Sequence, residues 1–157
     1  MSSNMDIRVD DLSGVEVAAL LNEHLQDMYA TSPAESVHAL DLTKLRQDDI
    51  TFWTVWENQQ LLGCGAIKQL TASHGEIKSM RVANAHRGKG VAKHLLQHML
   101  AFAKCQGYEK LSLETGSMDF FKPARQLYQS FGFDIGDKFA DYDNDPSSLF
   151  MHKTLTA

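Results

Sequence analysis

Cysteine and proline are scarce in this sequence, and so are features that would divide the chain into parts. Its 157 residues include two cysteines, Cys64 and Cys105, in unrelated contexts. This excludes a disulfide framework and a CxxC redox or zinc pair, and we expect both to be small core residues. The chain has no internal repeat, low-complexity tract or linker rich in proline, glycine and serine. These absences predict a single domain over residues 1–157.

The chain also lacks a net positive charge and long hydrophobic runs. The net charge of -5 argues against the broad basic surface that general nucleic-acid binding needs. No window is long and apolar enough to span a bilayer, and the first residues, MSSNMDIRVDDLSG, lack the basic and apolar regions of a signal peptide. We therefore expect a cytoplasmic protein that binds neither nucleic acid nor membranes. The sequence leaves open whether it is a monomer or a homodimer.

The spacing of apolar residues predicts a mixed α/β domain. The predicted strands are MDIRVDD, a hairpin of TFWTVWEN and QLLGCGAIKQL about Asn58, then GEIKSMRV, KLSLET and SSLFMHKTL. Helices are predicted from Val15 to before Pro33, from Val91 to near Gly107, and over PARQLYQSFGF up to Gly132. The segment SPAESVHALDLTKL is predicted to be a loop with a short helix.

A basic turn with two glycines precedes the second helix, within SMRVANAHRGKGVAKHLL at residues 79–96. Unpaired backbone N–H groups and the positive end of the helix dipole favour an anion at a helix start. Gly88 and Gly90 allow a tight turn and a close approach of that anion, and Arg87, Lys89 and Lys93 add positive charge. The pattern is typical of a phosphate cradle, although it also fits an ordinary turn with solvated basic residues.

Two nucleotide-binding motifs fit this turn poorly. The Walker A pattern GxxxxGK[ST] is absent. The dinucleotide fingerprint G-x-G-x-x-G needs a third glycine where this chain has Lys93, and the span from Val82 to Gly88 is long for a Rossmann unit. Glu114 stands roughly where a ribose-binding acid would, but one short domain lacks room for the two halves of that fold.

The residues of the turn resemble a known family. The hexapeptide RGKGVA at residues 87–92 matches the Q/R-x-x-G-x-G/A acyl-CoA-binding motif of the GCN5-related N-acetyltransferases (GNAT), and ARQLYQSFGF resembles their A-x-x-L-Y-x-x-x-G-F signature. The resemblance covers nearly the whole chain. SPAESVHALDL, GEIKSMRV, LSLETGS and DYDNDPSSLFMHKTL are similar to a bacterial subgroup of acetyltransferases, some labelled as acting on indoleacetic acid. The family implies a GNAT fold, a mainly antiparallel sheet splayed at its centre and flanked by helices.

The resemblance implies acetyl-CoA as cosubstrate and a set of residues that hold it. The pyrophosphate would bind backbone amides of the basic turn, the pantetheine arm would pair with the preceding strand, and the start of the last helix would flank the distal arm. The matching positions are Met80, Arg81, Val82, Arg87, Gly88, Lys89, Gly90, Val91, Ala92, Lys93, Phe120 and Ala124. In one departure from the family, Phe121 stands where many relatives have an asparagine, so any hydrogen bond of that asparagine is lost.

Acyl transfer to an amine requires proton handling at two points. An alkyl amine has a pKa of roughly 10 and must lose a proton before it attacks a thioester. The resemblance implies Glu76 as the general base, directly or through water, unless it is only an exposed strand residue. It implies Tyr128 as the hydrogen-bond donor to the departing thiolate, unless it is only a core tyrosine. A backbone N–H near residues 80–82 would meet the charge on the carbonyl oxygen.

The residues that would bind the acceptor amine are assigned less specifically. In the family, the first helices and the following loop wall the acceptor site, which implies Glu35, Ser36 and His38 as substrate-binding residues, unless they only cap or brace a short helix. The acidic segment DYDNDPSS would attract a cationic acceptor or form a solvated turn. His94 and His98 have i, i+4 spacing but lack the glutamate of HExxH and a third ligand, so no metal site is predicted.

These features predict an acetyl-CoA-dependent N-acetyltransferase that acts on an amine of a small molecule or of an amino terminus. The alternative is an acyl-CoA-binding or sensing module that keeps the cofactor cleft but has little catalytic activity. Glu76 and Tyr128 favour the enzyme, because a module that only binds the cofactor needs neither a base nor an acid.

Overall fold

A computed structural model describes residues 5–31, 47–117, 119–140, 142 and 146–155. Over these residues the elements are β1 (Asp6–Val9), α1 (Val15–Thr31), β2 (Ile50–Glu57), β3 (Gln60–Thr71), β4 (His74–Val82), α2 (Val91–Cys105), β5 (Lys110–Gly116), α3 (Lys122–Ser130), β6 (Asp134–Gly136) and β7 (Ser148–Thr154). Single 3-10 turns, Asn84–His86 and Asp119–Phe121, precede α2 and α3. The predicted strands and long helices are confirmed. The short exposed strand β6 was not predicted, because three residues carry too little alternation to be recognised.

The predicted hairpin is present, and its turn has the expected geometry. Asn58 and Gln59 both have positive φ angles, 51° and 66°, between β2 and β3. Two consecutive left-handed residues match the right-handed twist of the flanking strands, and asparagine is one of the residues that adopts this conformation most readily. The hairpin delivers the chain into β3, which pairs on its other edge with β4.

The strands form one mixed sheet in the order β1-β2-β3-β4-β5-β7-β6. All neighbours are antiparallel except β4 and β5, which are parallel and are joined through α2. The mixed α/β domain predicted from the sequence and the mainly antiparallel sheet implied by the family resemblance are therefore confirmed. The segment from residue 32 to residue 46, predicted as a loop with a short helix, lies outside the described residues.

Apolar side chains cover both faces of the sheet. The larger buried cluster joins α2 and α3 to one face and includes Trp53, Ile67, Ile77, Leu95, Leu96, Met99, Leu111, Leu113, Tyr128, Phe133 and Met151. The smaller cluster joins α1 to the other face and consists of Leu12, Val17, Leu20, Leu21, Phe52, Cys64 and Ala66. Each fully buried leucine or phenylalanine contributes roughly 1.5–3 kcal/mol to folding. We call these two sides of the sheet the α2 face and the α1 face.

The two cysteines differ in environment. Cys64 is fully buried on the α1 face, as predicted, and burial raises the pKa of its thiol to about 12. The prediction that Cys105 is also a core residue is wrong. Cys105 is exposed because it is the last residue of α2 and lies off the apolar stripe formed by Leu95, Met99 and Ala103. None of the described helices is long and apolar enough to cross a membrane.

Candidate active site

The central feature of the sheet is a gap between β4 and β5. The two strands pair only from His74 with Lys110 to Ile77 with Leu113, although β4 continues to Val82 and β5 to Gly116. Beyond Ile77, β4 stays with β3, and beyond Leu113, β5 stays with β7. The sheet therefore splays at its centre, as the family resemblance implies, and one backbone edge of β4 faces the gap.

A bulge in β4 accompanies the splay. Cys64 of β3 pairs with Arg81 while Ala66 pairs with Lys78, so β4 carries an extra residue opposite Gly65. Ser79 lies within this bulge with a φ of 56°, and its carbonyl accepts a hydrogen bond from the Cys64 thiol. Bulges bend a strand and redirect its polar groups. The backbone of residues 80–82, predicted to pair with pantetheine, follows directly.

The side chains of Met80, Arg81 and Val82 pack against other parts of the protein. Met80 and Val82 pack against the cluster on the α2 face. Arg81 is buried and forms an ion pair with Glu23 of α1, with 2.8 Å between Nη2 and Oε1. Any cofactor contact of Arg81 would therefore be made by its backbone, whereas Met80 and Val82 are half-buried, and the family resemblance implies backbone contacts for all three.

The start of α2 has the geometry of an anion site. Gly88 and Gly90 have φ angles of 82° and 80°, and a β-carbon on either would meet no atom within 4 Å. Gly90 is the N-cap of α2, and no side chain caps the helix there. The first intrahelical bond runs from the His94 N–H to the Gly90 carbonyl, so the preceding N–H groups of the first turn lack helical acceptors. Such N–H groups at a helix start are suited to bind a phosphate.

Basic side chains surround this helix start. Arg87, Lys89 and Lys93 are exposed, and the Lys89 ammonium lies 2.9 Å from Nδ1 of His86. Val91 is buried and Ala92 partly buried, so these two contribute backbone amides and packing rather than side-chain charge. The first turn of α2 contains no acidic residue that would repel an anion.

Glu76 lies on β4 immediately before the gap. Its strand register places it opposite Lys68 of β3 and Ser112 of β5, and it alternates with Ile77, so it faces the α1 side of the sheet. Only 3% of its surface is exposed, which excludes the interpretation of Glu76 as an exposed strand residue. A buried carboxylate costs stability unless it is paired, and such groups concentrate at functional sites.

Four neighbouring groups act on the Glu76 carboxylate. The Tyr142 hydroxyl donates a hydrogen bond to Oε2 at 2.5 Å, and the Lys78 ammonium lies 3.8 Å from the same oxygen. Burial and, to a smaller extent, the charge of Glu114 raise the pKa of Glu76, whereas Lys78, the hydrogen bond from Tyr142 and Lys68 lower it. The pKa is raised overall, which gives this carboxylate more basicity than a solvated glutamate has.

Tyr128 lies on the other side of the sheet. It is the buried residue of α3, belongs to the cluster on the α2 face, and makes an edge contact with Phe133 at 5.8 Å between ring centroids. Burial raises the pKa of its phenol well above the usual value. Tyr128 therefore keeps its proton, and a hydrogen bond is a more favourable role for it than full proton transfer. Its burial agrees with the alternative of a core tyrosine, and its catalytic role remains a prediction.

Of the remaining predicted residues, some are described by the structure and others lie outside the described ranges. Phe120 lies in the 3-10 turn before α3, and Ala124 packs from α3 against the cluster on the α2 face. Phe121, which replaces the family's asparagine, approaches Gly116 so closely that a β-carbon there would overlap its ring. The predicted acceptor residues Glu35, Ser36 and His38 lie outside the described residues, as do three aspartates of DYDNDPSS.

The two histidines on α2 do not form a metal site with described residues. Both His94 and His98 are exposed, and the His98 ring makes an edge contact with Trp53 at 5.9 Å. In the part of the chain that the structure describes, no three His, Cys, Asp or Glu residues lie close enough to share a metal ion. Packing against Trp53 accounts for the position of His98 without a ligand.

The family assignment follows from the sequence as a whole. The pattern of the family described as "Acetyltransferase (GNAT) family" matches residues 17–133, which is more than half of the chain. This chain belongs to the GNAT acetyltransferase family. The match includes the glycine-rich helix start, the splayed β4 and the helix that carries Tyr128.

GNAT relatives extend over nearly the full chain. Uncharacterized N-acetyltransferase YsnE of Bacillus subtilis is 58% identical over 151 residues, covering 96% of this chain and 100% of that protein. The IAA acetyltransferase of Azospirillum brasilense is 38% identical over 142 residues and 90% of each chain. These relatives are named acetyltransferases, and the protein is accordingly an acetyltransferase enzyme.

Solved GNAT structures share the fold. A protein from Klebsiella pneumoniae, described as a proposed acyl-CoA N-acyltransferase, superposes with a TM-score of 0.79 at 26% identity, over 99% of this chain and 100% of the other. A GNAT acetyltransferase of Elizabethkingia anophelis, whose structure contains acetyl-CoA, has a TM-score of 0.71 at 19% identity, over 98% and 100%. The second likeness supports the fold alone.

The GNAT site also contains polar residues that the sequence analysis missed. On the α1 face, Ser112 Oγ lies 2.7 Å from His74 Nε2 and 2.6 Å from His152 Nδ1, and His152 Nε2 lies 2.7 Å from the Asp137 carbonyl. That carbonyl can only accept, so a neutral His152 donates from Nε2, and Ser112 then donates to its Nδ1 and accepts from His74. Polar residues at alternating positions of β4 and β5 were the signal that these side chains share a face.

Proposed function

We propose that this enzyme transfers the acetyl group of acetyl-CoA to an amine of a small molecule or of an amino terminus, by direct attack of the amine on the thioester. The observation that carries this proposal is the buried Glu76 carboxylate beside the gap between β4 and β5. A carboxylate of raised proton affinity at this place is suited to accept the proton of an attacking amine, directly or through one water.

The proposal assigns contacts with acetyl-CoA to three parts of the chain. Amides of residues 88–92 would bind the pyrophosphate, because Gly88 and Gly90 leave the space before them open. Arg87 and Lys93 would add charge, and Phe120 and Ala124 would flank the distal arm. The backbone edge of residues 80–82 would pair with the two pantetheine amides as an added strand would. When bound, acetyl-CoA supplies the activated acetyl group and a thiolate leaving group.

Three groups of the protein would then act in the transfer of the acetyl group. Glu76 takes the proton from the amine. A backbone N–H of residues 80–82 donates to the carbonyl oxygen as charge develops on it. Tyr128 donates a hydrogen bond to the thiolate as it leaves. Glu76 and Tyr128 lie on opposite faces of the sheet, and the gap between β4 and β5 is the opening through which both would reach one thioester.

The proposal is tested by measuring thiol release from acetyl-CoA in the presence of a panel of amines. Amine-dependent release is expected, with little release in the absence of an acceptor. Indoleacetic acid belongs in the panel as a compound without a basic amine, and we expect no turnover with it. Binding of acetyl-CoA without turnover by any amine, including short peptides with free amino termini, would support the sensing module instead.

Replacement of Tyr128 by Phe is expected to lower turnover by about 10- to 100-fold at every pH, with acetyl-CoA affinity unchanged. A hydrogen bond to a charged group contributes roughly 1.5–3 kcal/mol, and the thiolate loses this donor whatever the state of the amine. The measurement is a pH profile of turnover. Tyr108→Phe is the matched control, because Tyr108 is buried in the same cluster and the proposal gives it no catalytic role. Wild-type turnover in Tyr128→Phe would exclude the donor role.

A further inference from the structure

Tyr142 is an aromatic residue in a segment that is otherwise acidic and polar, DYDNDPSS. It is 66 positions from Glu76 in the sequence, yet its hydroxyl donates to Glu76 Oε2 at 2.5 Å. This distance is at the short limit for a hydroxyl donating to a carboxylate, where such bonds are strongest. Burial and then the charge of Glu76 raise the pKa of the Tyr142 phenol, so the phenol remains a donor.

Phe139, three residues before Tyr142, packs on the α1 face of the sheet. The Phe139 ring is buried and lies 5.3 Å from Tyr142, 5.8 Å from Phe150 and 5.6 Å from His152, measured between ring centroids. Two residues earlier, the Asp137 carbonyl accepts the hydrogen bond from His152. Aromatic edge contacts of this kind contribute about 0.5–1.5 kcal/mol each beyond the area they bury. The position of the Tyr142 hydroxyl is therefore set by packing rather than by Glu76 alone.

We infer that Tyr142 is a positioning residue for the general base: it holds the Glu76 carboxylate in one orientation beside the gap and keeps it ionised. This inference rests on the proposed function, because it assigns a role to Tyr142 only if Glu76 handles the proton. Its geometric basis is independent of any ligand. It consists of the hydrogen bond to Oε2 and the aromatic contacts that place Tyr142 over the carboxylate.

Charged groups on three strands also act on Glu76. Lys78 of β4 lies 3.8 Å away, Lys68 of β3 lies opposite in the register, and Glu114 of β5 repels the carboxylate. The two lysines favour the ionised form and Glu114 disfavours it. Neither lysine can fix the orientation of the carboxylate as a short hydrogen bond from a packed ring does, because lysine is a flexible point charge.

Tyr142→Phe is the direct test, because phenylalanine keeps the ring contacts and removes only the donor. We expect the acidic limb of the pH profile of kcat/KM to move upward by about one pH unit. The loss of activity is about tenfold greater at a pH well below that limb than on the plateau at high pH, where only the loss of the fixed orientation acts. Tyr108→Phe is the control and leaves the limb in place. An unmoved limb, or an equal loss at all pH values, overturns the inference.

A second readout does not depend on turnover. The side-chain carboxyl of Glu76, assigned by comparison with Glu76→Gln, can be titrated by carbon-detected NMR in the wild type and in Tyr142→Phe. The inference requires a higher pKa in the variant, and an unchanged pKa overturns it. If the NMR shift is found but no amine supports turnover, the proposed function fails while the contact between Tyr142 and Glu76 stands. In the Glu76→Gln background, Tyr142→Phe is expected to cause no further loss of turnover.

Discussion

Replacement of Glu76 by Gln is expected to lower turnover about 100-fold while acetyl-CoA binds with unchanged affinity. Glutamine has nearly the same size and still accepts the hydrogen bond from Tyr142, but it cannot take the proton of an amine. A 100-fold loss corresponds to about 2.7 kcal/mol in the activation barrier. Steady-state turnover and a separate binding titration distinguish this result from loss of the cofactor site.

The pH dependence of this variant identifies the missing step. Without a base, the reaction depends on the fraction of acceptor amine that is already neutral, and that fraction rises with pH. The defect is therefore greatest at low pH and smallest at high pH, and a less basic amine shows a smaller defect. Wild-type turnover of Glu76→Gln at neutral pH would contradict the base assignment, and another group would then have to deprotonate the amine.

The same substitution is expected to make the protein more stable at neutral pH. Burial raises the pKa of Glu76, so the folded state holds this proton more tightly than the unfolded state does. The stabilisation that the Glu76 carboxyl group gives the wild type is greatest below the ordinary glutamate pKa. It is lost as the pH rises through the raised pKa of the folded state. Glutamine has no such loss, so the melting temperature of Glu76→Gln should exceed that of wild type at pH 7. The difference should shrink at acidic pH, below about 4.

Gly90→Val is expected to abolish the thermal stabilisation that acetyl-CoA confers. A β-carbon at Gly90 meets no protein atom within 4 Å, so the valine side chain would occupy only the space assigned to the pyrophosphate. At 100 times its dissociation constant, a ligand stabilises the folded state by about 2.7 kcal/mol, which is readily seen as a shift in melting temperature. We expect this shift in the wild type and none in Gly90→Val.

Backbone strain must be separated from loss of the cofactor, because Gly90 has a φ of 80°. A residue with a side chain costs roughly 1–2 kcal/mol in this left-handed region. Gly107 provides a matched control at the other end of α2, since its φ is 82° and a β-carbon there also meets no atom within 4 Å. Gly107→Val should lose similar intrinsic stability yet keep the acetyl-CoA shift. Equal protection of both variants would contradict the anion site at Gly90.

The sequence alone determined the features that depend on neighbouring residues. The helix start at Gly90, the hairpin at Asn58 and the end of α1 before Pro33 follow from backbone preferences of a few adjacent positions, and the structure has all three. These features were predictable because their physical causes lie within one or two turns of chain.

Tertiary structure alone decided the environment of Glu76. Its burial depends on the pairing of β4 with β3 and β5 and on the chain segment that brings Tyr142 over it, and none of these contacts is local in sequence. The hydrogen bonds that join His74, Ser112 and His152 likewise form only where three strands pair in register. If any of these strands shifted its register by one residue, its side chains would turn to the opposite face of the sheet. Strand register, which is set by packing of the whole sheet, thus determines which carboxylate is buried, paired and placed beside the gap.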